Sequence, residues 1–469
     1  MKYVSTRGSA PVLGFEDVLL TGLARDGGLY LPETWPLLRA EEIAAMAGQS
    51  YEATAVAVMR QFVGGEISDN DLAQMVADAY KGFAQRAIAP LVQIGPSDWI
   101  LELFHGPTLA FKDLAMQVLA RMMDRALSRR SSAATVVGAT SGDTGGAAIE
   151  AFRGREAIDI FILFPNGRVS DVQRRQMTTP TEANVHAIAI DGTFDDCQAL
   201  VKALFNNLEL RDRLQLAGVN SINWARILAQ IVYYFTSGVA LGAPERPVSF
   251  TVPTGNFGDV FAGFAAMSMG LPVERLVIAT NVNDILVRTL ETGRYAATGV
   301  TATQSPSMDI EISSNFERLL FELSGREAER VVDHMESLKA QKSFALDGQE
   351  HAYLRQIFQA ARTNEDETMA EIRRLKAETG YLADPHTAVG TAAARKIERD
   401  PKVPMVMLAT AHPAKFPAAV TKAVGTPPPE PPIVAQQRKL PERVTVLPND
   451  FVAVSAFIGG HARAARRAS

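Results

Sequence analysis

Residues 101–119 read LELFHGPTLAFKDLAMQVL. Trp99 to Phe104 form an apolar run of strand length. Gly106 and Pro107 break that run and make a turn. Beyond the turn Phe111, Leu114, Val118, Met122 and Ala126 recur at three- to four-residue steps, the period of a helix. Strand, turn and helix in direct succession open a βα unit and place Lys112 near a helix start, just past a strand end. First helical turns favour acids, because the helix dipole is positive there. A lysine held in that field and buried has its amine pKa lowered, which makes it a better nucleophile. The plain alternative is an exposed lysine paired with Asp113.

The same rhythm runs outward from this stretch. Strand candidates are Trp99–Phe104, Thr135–Ala139, Ile158–Phe164, Val185–Ile190, Val219–Ile222, Val248–Val252, Leu276–Thr280 and Val403–Ala409. Most are unbroken apolar runs, as expected of strands buried on both faces. Segments of helical spacing separate them, so the pattern is βαβ and the expected fold is α/β, with doubly wound parallel sheets. Residues 1–97 read instead as a mostly helical N-terminal domain closed by a linker over Pro90–Pro96. The polar block at about 304–380 reads as a helical insertion within a catalytic region spanning 98–435, and Thr426–Pro432 as a stiff proline-rich linker. Residues 436–469 form a C-terminal segment whose RAARRAS end is expected to be a solvated tail.

The chain has 469 residues, long for one core, so two or three domains are expected. A net charge of −5 argues against non-specific nucleic-acid binding, which needs a basic face. Cys197 is the sole cysteine and the seven histidines are scattered, so neither a disulfide framework nor a metal site is expected. The N-terminus lacks the apolar core of a signal peptide and no apolar run reaches membrane-span length, so a cytoplasmic protein is expected.

Three loops at strand ends carry the chemistry, where open α/β sheets bind their ligands. One holds Lys112. The second is Thr140-Ser141-Gly142-Asp143-Thr144-Gly145-Gly146, and the third is Pro253-Thr254-Gly255-Asn256-Phe257-Gly258-Asp259. Their glycines let backbone N–H groups approach an anion at a helix start. Each alone could be no more than a tight turn. Neither is G-x-G-x-x-G or a Walker A loop, so NAD and ATP are not indicated. A lysine and a phosphate nest at the ends of strands in one α/β sheet match what pyridoxal phosphate needs: an amine for a Schiff base and an anion cradle.

HGPTLAFKD, GATSGDTGGAA, PTGNFGDVFAG and ATAHPAKF, in that order, closely resemble the threonine synthases. STRG and DGGLYLP in the first 35 residues resemble that family's N-terminal domain, so the likeness covers nearly the whole chain. The family has the fold type II architecture of pyridoxal phosphate enzymes. The insertion and the HGPT opening resemble its longer subfamily, not the plant type regulated by S-adenosylmethionine. The resemblance implies that Lys112 bears the cofactor and shuttles protons, and that Gly255, Asn256, Phe257, Gly258 and Asp259 hold its phosphate. It implies that Thr410 meets the pyridine nitrogen and that Asp143 stands beside the ring hydroxyl, where many relatives carry Asn. Ser141, Thr144 and Thr108 are expected at the substrate carboxylate. Ser313, Ser314, Asn315 and Arg318 are expected at a substrate phosphate, with Asn281, Asn283 and Asp284 as further donors; the alternative for Ser313–Arg318 is a capped helix start. Lys415 reads as a salt bridge or a second cation, and His412 as a residue ordering the Thr410 loop. The implied reaction is O-phospho-L-homoserine plus water to L-threonine plus phosphate, by γ-elimination and β-addition, in a monomer or homodimer. The alternatives are a threonine-synthase-like phospho-lyase releasing a keto acid, and a non-catalytic binding descendant, against which Lys112 itself argues.

Overall fold

The apolar runs flanked by glycine and proline become strands, and the computed structural model describes residues 1–218 and 220–464. In chain order its strands are Tyr3–Ser5 (β1), Tyr30–Pro32 (β2), Leu91–Gln93 (β3), Asp98–Glu102 (β4), Ala134–Ala139 (β5), Ile158–Pro165 (β6), Val185–Asp191 (β7) and Leu216–Ala217 (β8). They continue as Val248–Pro253 (β9), Val273–Thr280 (β10), Arg294–Ala296 (β11), Ser343–Ala345 (β12), Phe358–Arg362 (β13), Met405–Ala409 (β14) and Thr445–Pro448 (β15). Two sheets carry the architecture. The first has the order β13-β10-β9-β14-β4-β3 and the second β15-β7-β6-β5-β8. All pairs are parallel except β3 on β4. The order reverses beside β14, which sits between β4 and β9 although it follows both by a long stretch of chain.

The Lys112–Arg129 helix leaves the first sheet after β4 and enters the second at β5. Its apolar side and that of the Trp224–Ala240 helix share one core with residues from the N-terminal region, such as Tyr3, Phe15 and Phe62. A separate core under the second sheet joins Val137, Phe161 and Cys197 to Val454 and Ile458 of the C-terminal helix Phe451–His461.

Several expectations are corrected here. The helical insertion is not wholly helical: Phe358–Arg362, inside the block read as helical, is the edge strand β13, parallel to β10. Its helix formers are overruled by backbone pairing with an open sheet edge. The Pro90–Pro96 linker contains β3, antiparallel to β4. Of the expected strand Val219–Ile222, Val219 lies outside the described residues and 220–222 form a turn; the nearby strand is β8. The expected solvated tail is corrected at its first residue. Arg463 is fixed by buried Asp159, its Nε donating to Oδ1 at 2.7 Å, while 465–469 lie outside the described residues.

Candidate active site

After β4 the chain turns through Gly106, where a Cβ would lie 2.5 Å from the Asp113 side chain. That space is filled because Asp113 folds back: Thr108 N–H donates to it at 2.7 Å and Thr108 Oγ1 at 2.6 Å. Burial pushes the Asp113 carboxyl up to about 6 against those bonds. The Thr108 hydroxyl, expected at a substrate carboxylate, is therefore spent on this turn. Asp113 does not pair with Lys112 as the plain reading had it. The next residue, Leu109, takes a left-handed φ of 61°, a strained geometry for a branched side chain. Phe111 N–H donates to the Thr410 carbonyl at 2.9 Å, so the end of β14 is stitched to the turn carrying Lys112.

Lys112 opens its helix and is buried, with Nζ 3.8 Å from Asp143 Oδ2. Burial pulls its pKa down to about 8, with Asp143 opposing and Lys415 assisting. Asp143 opens the helix after β5. The preceding Gly142 has φ 147°, and a Cβ on it would lie 2.3 Å from the Gln173 amide. Gln173 Nε2 uses that room to donate to Asp143 Oδ1 at 2.9 Å. Lys415 Nζ lies 2.8 Å from the same oxygen. Burial would raise the Asp143 pKa, but Lys415 and then Lys112 outweigh it and hold the carboxyl well below the usual range. In the same loop the Thr140 hydroxyl accepts the Gly142 and Gly145 N–H groups, each at 2.9 Å, leaving Ser141 exposed and Thr144 half-buried.

The nest follows β9. Phe257 is left-handed at φ 64°, and the first helical bond beyond it is Phe261 N–H to Phe257 O. A left-handed residue at a helix start turns successive N–H groups into one concavity, an anion site. The Asp259 carboxylate is turned away, accepting from Tyr233 Oη at 2.5 Å and Tyr234 Oη at 3.0 Å. Burial pushes it up to about 6 against those bonds. It leaves the nest to backbone donors, so any part Asp259 has there is through its N–H. Ser307 ties nest to lysine: a Cβ on Gly255 would lie 2.6 Å from the Ser307 carbonyl, and Ser307 Oγ is 3.4 Å from Asp143 Oδ2.

The insertion contributes less than expected. Arg318 has no exposed surface. Its Nε donates to Tyr30 O at 3.0 Å, Nη2 to Ile222 O at 2.6 Å, and Nη1 to Asn315 Oδ1. It fastens the insertion to the N-terminal region and presents no donor to the cleft, which corrects the expected substrate contact. Asn315 is likewise occupied, its Nδ2 donating to Ser221 O and Asn256 O. Ser313 Oγ donates to Gly255 O at 2.7 Å, bracing the nest. Ser314 stays partly exposed beside Asn256. Asn281 and Asn283 bond to Asp309, and Asp284 holds Arg288 and Arg362.

Sequence reasoning missed Gln173, Ser307 and His386. His386 accepts the Ser307 N–H on Nε2 at 3.2 Å while Asp384 holds its Nδ1 at 2.7 Å, which fixes the loop over Gly255. The only sequence signal was D-P-H at 384–386, a helix-start pattern.

The donor set fits pyridoxal phosphate. An aldehyde needs an amine that sheds its proton near neutrality, a phosphate needs N–H donors with no carboxylate among them, and Lys112 and the nest supply both. A family model for the threonine synthase N terminus matches residues 2–80, one for pyridoxal-phosphate-dependent enzymes residues 90–352, and one for the threonine synthase C-terminal region residues 387–458. The threonine synthase of Pseudomonas aeruginosa is 51% identical over 462 residues, 98% of both chains. The structure of pyridoxal-phosphate-bound threonine synthase from Brucella melitensis matches with TM-score 0.97 at 58% identity, covering 99% of this chain and 100% of that one. Yeast threonine synthase matches with TM-score 0.93 at 39% identity, covering 98% of each chain. Likeness at this identity, running from one end to the other, makes the resemblance of the motifs a matter of descent: the chain belongs to the threonine synthase family and uses pyridoxal phosphate.

Proposed function

We propose that this enzyme converts O-phospho-L-homoserine and water to L-threonine and phosphate. The observation that carries the reading is the buried Lys112 amine, lowered to about 8, with its Nζ 3.8 Å from Asp143 of the second loop. When bound, pyridoxal phosphate supplies the electron sink that makes protons alpha, and then beta, to the amine-bearing carbon removable. Lys112 is the base at Cα and again at Cβ, because an amine near its pKa at working pH both accepts and returns protons. Phosphate departs from Cγ, Lys112 returns a proton to Cγ to make the methyl group, water adds at Cβ, and a last proton restores Cα. The Gly255–Gly258 backbone, with the Asp259 N–H, holds the cofactor phosphate, and the Thr410 hydroxyl meets the ring nitrogen without donating a full charge. Ser141 and Thr144 orient the substrate carboxylate. Ser314 is the hydroxyl left available for the departing phosphate. Asp143, held ionised, orients the Lys112 amine.

Incubation with phosphohomoserine in deuterated, oxygen-18-labelled water tests the reading. Threonine should carry deuterium at Cα and in the methyl group, and heavy oxygen in the hydroxyl. A methyl group free of deuterium, while the lysine exchanges freely, refutes the two-proton route. A keto acid in place of threonine gives the reaction to the phospho-lyase alternative.

A further inference from the structure

Lys415 is wholly buried, at 0% exposure. It ends the short turn Pro413–Lys415 after β14, capped by His412, whose Nδ1 accepts the Ala414 N–H at 3.1 Å. Burial pulls the His412 pKa down to about 4, so the ring is neutral and free to accept. Lys415 Nζ donates to the Thr108 carbonyl at 2.7 Å and sits 2.8 Å from Asp143 Oδ1. No step above uses this ammonium. A buried cation is costly unless paired. Its pair is the same carboxylate that lies 3.8 Å from Lys112 Nζ.

That sharing answers a chemical problem. An aldehyde carbon takes an amine only through its lone pair, and a base takes a proton the same way; an ammonium has no lone pair. A buried carboxylate standing alone beside Lys112 would hold it as the ammonium. We propose that Lys415 is a positioning residue that claims the Asp143 carboxylate and so lets Lys112 shed its proton more readily, making it able to take up cofactor and substrate protons.

The other charges around Lys112 agree. They are Asp113 on its own helix, Arg226 on the Trp224–Ala240 helix and Asp259 on the helix after the nest. Asp113 is engaged by Thr108 and Asp259 by two tyrosines. Asp143 is thus the acid directed at Lys112, and Lys415 is the cation closest to Asp143, nearer than Lys112 itself. The geometry makes Asp143 half of an ion pair first and a neighbour of Lys112 second.

The inference rests on Lys112 as the cofactor-bearing amine and is independent of the substrate. The test reads only that amine, whereas the product analysis above reads only the substrate. Full-length protein freed of cofactor is labelled across pH with trace acetic anhydride, and peptide mapping gives the midpoint for Lys112. Lys415→Met should raise the midpoint by about one pH unit or more, cutting labelling several-fold near the wild-type midpoint of about 8. Asp143→Asn should lower it, because Lys415 then faces Lys112 uncompensated. The double variant should fall between the two. Opposite signs from two partners of one bond are what a merely structural role would not give. An unchanged or lowered midpoint in Lys415→Met overturns the proposal. If that variant does not fold, Asp143→Asn decides alone, and a midpoint that stays or rises overturns it.

Discussion

Lys112 and Asp259 show how burial sets the work of single residues. Lys112→Ala should abolish the visible band of bound cofactor, and borohydride reduction of the wild type followed by peptide mapping should find the label on Lys112. Label on another lysine refutes the assignment. Asp259 gives a prediction of opposite kind. Its carboxyl is raised to about 6 in the folded chain, above the ordinary 3.8, first because burial disfavours the charge. A raised acid binds its proton more tightly folded than unfolded, so its effect on stability worsens as pH climbs from about 4 to about 6 and is constant above. Asp259→Asn cannot titrate. The variant should therefore gain stability relative to wild type across that window, by on the order of 3 kcal/mol at pH 7. Denaturant melts at pH 4, 5, 6 and 7 check it, and a flat difference contradicts the shift. Lys112 was legible because a lysine just past a strand end breaks the expected charge pattern of a helix start. Lys415 was read as a salt bridge or a second cation, and it is a salt bridge; that its partner is Asp143, and that Gln173 joins them, was not legible, because a side chain's partner across the fold leaves no local mark in sequence.

At the scale of elements, the nest depends on close approach of backbone to backbone. Gly255→Val would drive a side chain against the Ser307 carbonyl, which a Cβ already meets at 2.6 Å. Displacing that segment should weaken cofactor binding by more than about tenfold, about 1.4 kcal/mol, in a spectroscopic titration. Unchanged affinity would separate the loop from the cofactor. The Phe316–Leu323 helix carries Arg318, whose three nitrogens bond to Tyr30, Ile222 and Asn315. Arg318→Ala strands those buried acceptors and should cost about 3 kcal/mol or more of unfolding free energy, with KM for phosphohomoserine changed far less. A large rise in KM with unaltered stability would restore the substrate role. Ser313–Arg318 offered two readings in sequence, a phosphate site or a capped helix start, and hydroxyls, amides and a guanidinium serve both. Only the distant carbonyls of Tyr30 and Ile222 decide for Arg318. β13 was hidden for a similar reason: FQAAR is composed of helix formers, and what makes it a strand is the open edge of β10.

Across the whole molecule the βα rhythm was readable because fully buried parallel strands are unbroken apolar runs, and seven of the eight expected strands match within about three residues at each end. Strand order was not readable, since no local feature of Met405–Ala409 says that it belongs between β4 and β9. That placement has a consequence for how the protein is born. A ribosome delivers β4, with Lys112 behind it, and then β9, with the nest behind it, long before residue 405. Until β14 emerges, the two have no common neighbour, and the turn carrying Lys112 lacks Thr410 O to hold Phe111 N–H. Domains of long chains fold N-terminal first during synthesis, but here the cofactor cleft is assembled by a late arrival. Nascent chains stalled short of residue 405 should fail to capture pyridoxal phosphate, while released full-length chains capture it, as borohydride labelling of each would report. Cofactor loading is thereby reserved for chains whose translation is nearly finished, and a truncated product of an early stop remains without it.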